Sequence, residues 1–119
     1  MFRVQGADGV LGFLFGRKVT RVAGVPQDVV VRAGKLIPLI GGRLSGMAKP
    51  AAAVTLGRTI VVHPEVHLSD RLLKHELAHV RQWERAPLTF PLRYVWQHLK
   101  HGYRDNPYEV EARAAEEQS

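Results

Sequence analysis

The chain has 119 residues, 45% of them apolar and 24% charged, with a net charge of +6 at pH 7. That is room for one domain of ordinary globular composition, which excludes a disordered tail protein. There is no cysteine, so disulfides and thiolate metal sites are excluded and any metal must be held by His, Asp or Glu.

The first half is turn-rich and basic. Residues 1–58 carry nine Lys or Arg against Asp8 and Asp28, while residues 59–119 carry eight against nine acids. The bases are scattered with no dense run, so they read as a solvated surface and a nucleic-acid partner is not expected. Gly6, Gly9, Gly12 and Gly16 punctuate an apolar segment over 10–15 whose structure the pattern leaves open. That segment is far short of the ~20 residues a membrane span needs, and no signal-peptide pattern is clear, so a cytoplasmic protein without a membrane span is expected. The β-branched stretches 19–22 and 29–32 predict two short strands. Residues 36–40 are apolar but interrupted by Pro38 and followed by Gly41-Gly42, which fits a short helix or a buried strand. Residues 52–56 and 59–63 predict a hairpin across Gly57-Arg58, with Gly57 supplying the positive φ that the turn requires.

The second half is helical. Ser69 before Asp70 is an N-cap, and Pro87 stops a helix predicted over 70–85 with Leu73, Leu77 and Val80 as its apolar stripe. Leu88, Leu92, Val95, Trp96 and Leu99 recur at helical spacing and predict a second amphipathic helix, ended by Gly102. Both Trp83 and Trp96 read as core residues. Asn106-Pro107 opens a third helix, with Asn as cap and Pro at its first position.

The chemistry concentrates in His75-Glu76-Leu77-Ala78-His79. Residues four apart on a helix share one face, so the two imidazoles can converge on one ion. Glu76 is turned about 100° from His75. It therefore stands beside the ion, where a carboxylate can act as general base on an activated water. Catalytic zinc takes three protein ligands. Glu109, in the first turn after the Asn106 cap, reads either as that ligand or as a capping-box glutamate. Glu111 is the competing ligand, about 200° further round the same helix.

His75 through Gln82, followed by Asp105-Asn106-Pro107-Tyr108-Glu109-Val110-Glu111-Ala112-Arg113, resembles the gluzincin metallopeptidases and most of all their smallest members, the minigluzincins. The resemblance covers roughly residues 52–115. It implies an α+β, zincin-like domain spanning the chain, with a short sheet whose hairpin packs on the active-site helix and two further helices after it. It also implies zinc held by His75, His79 and Glu109, with Glu76 as catalytic base, a peptide or protein substrate, and an edge strand that holds that substrate extended. Larger gluzincins carry Asp four residues after the ligand Glu to orient a ligating His. Here that position is Arg113, so Asp70, Asp105 or Glu111 is expected to supply the orienting carboxylate. For the group that stabilises the oxyanion, His63, His98, His101, Tyr103 and Tyr108 all stay open.

Overall fold

The structure is a computed structural model that describes residues 6–20 and 22–118. Its elements are α1 (Gly6–Phe15), β1 (Arg17–Val19), β2 (Val30–Ala33), α2 (Leu36–Leu44), β3 (Ala53–Leu56), β4 (Thr59–Val62), α3 (Asp70–Arg85), α4 (Phe90–Asp105) and α5 (Pro107–Ala115). This is an α+β fold with one four-stranded mixed sheet in the order β1-β2-β4-β3. β1 pairs antiparallel with β2, Lys18 opposite Arg32, and β2 runs parallel to β4, Val31 opposite Ile60. β3 is left as an edge strand. The chain forms two compact units, one of residues up to Val54 with Thr59–His67, the other of Thr55–Arg58 with Leu68–Ser119.

In the first unit, the open segment after Gly6 is helical, and 36–40 is the start of a helix that continues through Gly41-Gly42 to Leu44. Pro38 is tolerated because it stands in the first turn of α2, where its missing N–H would have had no partner within the helix. The strand expected over 19–22 is displaced. It begins at Arg17 and ends at Val19, because pairing with β2 sets the register, and Thr20 and Val22 lie outside it. Residue 21 lies outside the described residues. Val31, Ile60, Val61 and Val62 are buried in the inner two strands, as β-branched residues on a covered sheet should be.

The hairpin forms as expected, with Gly57 at φ 63 in its turn. Its tip belongs to the second unit and packs on α3. The Thr55 hydroxyl donates to Glu76 Oε1 at 2.7 Å, Trp83 Nε1 donates to the Thr55 carbonyl at 3.2 Å, and Arg58 pairs with Glu84 at 3.2 Å.

Two of the three helices of the second unit, α3 and α5, begin where the caps predict. The Ser69 hydroxyl accepts from Leu72 N at 3.1 Å, and Asn106 Oδ1 accepts from Tyr108 N at 2.9 Å. Gly102 breaks the helical dihedrals of α4 at φ 80. Ala78, Ala112 and Ala115 form the buried contact between α3 and α5, and such small side chains let two helices approach closely.

The face of α4 that packs inward is the reverse of the expected one. Leu88, Leu92 and Leu99 are 89, 73 and 75% exposed, and Trp96 is 62% exposed, so the reading of Trp96 as core is corrected. The inward face is aromatic. Phe90 is buried and stands edge-on to Trp83 and Tyr108, with ring centroids 5.2 and 5.0 Å away, and Tyr94 stacks on Tyr108. Spacing locates an apolar stripe but carries no information about a second, aromatic stripe on the opposite side. Here the aromatic stripe wins because Tyr94 also reaches a buried carboxylate on α5. Trp83 is half-buried, with its N–H satisfied.

Candidate metal centre

α3 sets two imidazoles one turn apart, and α5 brings a carboxylate to them. His75 Nε2 lies 3.1 Å from Glu109 Oε1, and His79 Nε2 lies 3.3 Å from the same oxygen. One donor atom from each of the three residues falls within 4.8 Å of the others. Two donors bound at ~2.0–2.1 Å to one tetrahedral ion stand about 3.3–3.4 Å apart; the two His–Glu109 separations are close to that value, and the set as a whole lies within 4.8 Å. All three donors are nearly buried, as is Glu76, which accepts from Thr55. Glu109 does not make the capping-box contact, because the Asn106 N–H donates to the Tyr103 carbonyl and the carboxylate of Glu109 faces α3.

The imidazoles are held from behind by different groups. His79 Nδ1 is 2.8 Å from Gln82 Oε1, while the Gln82 amide nitrogen donates to the Tyr108 carbonyl at 3.0 Å and to Glu111 Oε1 at 2.6 Å. Those two acceptors fix the amide with its oxygen toward His79. A neutral His79 then carries its one proton on Nδ1, which leaves the Nε2 lone pair for an ion. His75 Nδ1 is 2.7 Å from Glu116 Oε2.

Of the three candidates for an orienting carboxylate, Glu111 acts only through Gln82 and is itself paired with Arg85 at 2.7 Å. It is turned away from the imidazoles, which removes it as a rival ligand. Asp70 pairs with Lys74 at 3.0 Å. No contact joins Asp105 to either histidine among the described residues. Arg113 donates to the Arg104 carbonyl. Glu116, Gln82, Thr55 and Tyr94 were not singled out by the sequence. The signal for Gln82 and Glu116 was helical spacing alone, since Gln82 follows His79 by three residues and Glu116 follows Glu109 by seven.

Among the oxyanion candidates, Tyr103 is half-buried, and burial together with the Glu109 charge pushes its phenol up. Tyr108 is occupied in the aromatic cluster. His98 has a buried Nδ1 without a hydrogen-bond partner, and His101 is exposed. His63 belongs to the other unit and accepts from Glu65 N at 3.1 Å. Tyr94 donates to Glu109 Oε2 at 2.5 Å, and its phenol is likewise pushed up by burial and by that carboxylate.

The side chains of the site form an interlocked set of charges. Burial lowers the basicity of His79, but Glu109 at hydrogen-bond distance, the Glu76 charge and Gln82 push its pKa up to about 9. Burial opposes ionisation of Glu109, yet hydrogen bonds from His75, His79 and Tyr94 hold it well below the usual carboxylate range. Burial raises Glu76 above its ordinary 4.5.

These shifts set the pH dependence. A raised His79 contributes stability that is fully present below 6.5 and lost as pH rises through about 9. A depressed Glu109 contributes stability present above 4.5 and lost as pH falls toward its folded value. Without metal, the second unit should therefore be most stable between 4.5 and 6.5. Zinc requires neutral imidazoles, so its binding displaces protons and tightens as pH rises toward 9. The increase in melting temperature on adding zinc should be larger at pH 8 than at pH 6, since displacing one proton raises apparent affinity by about two decades over those two pH units. An equal or larger shift at pH 6, followed calorimetrically, would contradict His-based binding.

A family model described as the eCIS core domain matches residues 45–87. The matched stretch contains the β3–β4 hairpin and the whole of α3, with His75, Glu76 and His79, and it stops before α5 and Glu109. No curated protein and no solved structure matches the chain. No helix among the described residues is long and apolar enough to cross a membrane.

Proposed function

We propose that this chain is a zinc metallopeptidase of the gluzincin type, with His75, His79 and Glu109 holding the ion and Glu76 as general base. The observation that carries this reading is the gathering of three donor atoms within 4.8 Å of one another, beside the buried Glu76 carboxyl on α3. Zinc, when bound in such a set, lowers the pKa of water and polarises a carbonyl.

The residues of the chain supply the rest. Glu76 is raised by burial toward the range in which a carboxylate can take up and return a proton. The Thr55 hydroxyl holds Oε1 and so fixes the carboxyl plane, leaving the second oxygen for the proton. Thr55 is also part of the edge strand β3. An extended peptide added along the Thr55–Leu56 end of that edge would run beside the base, the usual way in which a strand is captured by a sheet edge.

A second reading is a zinc-holding module without turnover. The near-complete burial of the three donors favours it. Hydrolysis of denatured protein or mixed peptides by the zinc-loaded chain, abolished by a chelator, decides for the peptidase. Stoichiometric zinc with no cleavage decides for the silent module. The gluzincin assignment itself rests on the residues quoted above. The eCIS core domain match covers the hairpin and motif helix that both readings need.

A further inference from the structure

We infer that Glu116 is the carboxylate that orients His75 toward the metal, taking over from the C-cap of α5 the role that Arg113 cannot fill. The inference rests on the zinc reading of the site. Seven residues separate Glu109 from Glu116, so two helical turns of about 100° per residue bring them back to nearly the same face, about 10 Å apart along the axis. Glu116 keeps helical dihedrals, φ −60 and ψ −27, so this alignment holds at the end of α5. The His75 ring bridges the interval. Its Nε2 lies 3.1 Å from Glu109 and its Nδ1 lies 2.7 Å from Glu116. Ala112, fully buried between the two acids, keeps α5 close enough to α3 for both to reach.

Glu116 is itself anchored. Its other oxygen is 3.1 Å from Arg71 Nε, on the first turn of α3. A carboxylate on Nδ1 fixes the ring plane, keeps the proton on that nitrogen and makes Nε2 a better donor, as outer carboxylates do at metal-bound histidines. The two histidines are thus supported unequally, His75 by an anion and His79 by a neutral amide. Arg113 sits four residues after Glu109 but turns its guanidinium to the Arg104 carbonyl.

The test is zinc competition titration at pH 8 on the full chain, with Glu116→Ala, Glu116→Gln and Glu117→Ala beside wild type. Glu117 is the control because it shares Arg71 but makes no contact with His75. Glu116→Ala should weaken zinc about 10–100-fold. Glu116→Gln, which still accepts a hydrogen bond, should weaken it less, and Glu117→Ala not at all. Nitrogen-15 spectra of the imidazoles give a readout that a purely structural role would not move: the His75 Nδ1 proton should be lost from slow exchange in Glu116→Ala while that of His79 persists. Wild-type affinity in Glu116→Ala, or equal weakening by Glu117→Ala, overturns the assignment. A wild-type chain that takes up no zinc overturns the metal reading instead, and this inference with it.

Discussion

Glu76→Gln is expected to bind zinc at wild-type stoichiometry and to hydrolyse peptides about 10²–10⁴-fold more slowly, the usual contribution of a positioned general base. The separation of the two effects follows from geometry. Glu76 is not one of the converging donors. Its carboxyl is engaged by Thr55, a contact that the carboxamide oxygen of Gln can still accept. The substitution also removes a buried carboxyl whose ionisation is opposed by its surroundings, so stability should hold or rise slightly. Metal analysis and peptide turnover on the same preparation read both outcomes. A Gln variant that cleaves like wild type would end the proposed role.

His79→Ala is expected to lose zinc altogether in that analysis, with affinity down by more than the ~100-fold that an outer-shell change costs. Two donors remain, His75 and Glu109, and hydrolysis should vanish with the ion. The variant also strips Glu109 of one of its two imidazole partners and leaves the Gln82 oxygen without its donor. An unpaired buried polar group costs about 1–3 kcal/mol, so the ion-free variant should melt earlier than ion-free wild type at pH 6. Circular dichroism distinguishes that modest loss from unfolding. Full zinc occupancy in folded His79→Ala would remove the metal centre from consideration.

Much of the second unit was legible because its signals are local. Ser69 and Pro87 bracket α3, and Gly57 marks the hairpin turn. Asn106-Pro107 starts α5 and thereby fixes where Glu109 falls. The two imidazoles followed from a spacing of four residues along α3, whereas Glu109 was separated from a capping-box role only by the resemblance to the gluzincins. What stayed hidden is set by how helices meet. The leucines of α4 repeat at helical spacing as convincingly as any core stripe, yet they face water because Phe90 and Tyr94 make better use of the inner side. Gln82 and Glu116 look like ordinary surface residues until α5 is laid against α3. The strand at 17–19 was misplaced because a register is a property of two strands, not of one.

Asn106 has a wider bearing. Fully buried, it accepts from Tyr108 N with Oδ1 and donates from Nδ2 to the Tyr94 carbonyl at 3.3 Å. One amide therefore sets both the axial height and the rotational phase at which α5 begins. A single residue inserted between Asn106 and Glu109 would advance the carboxylate by about 1.5 Å and swing it by about 100°, away from both imidazoles. The spacing of Asn106 and Glu109 thus behaves like the pitch of a screw thread, and a drift of one step there would unseat the third donor while leaving every donor in the chain.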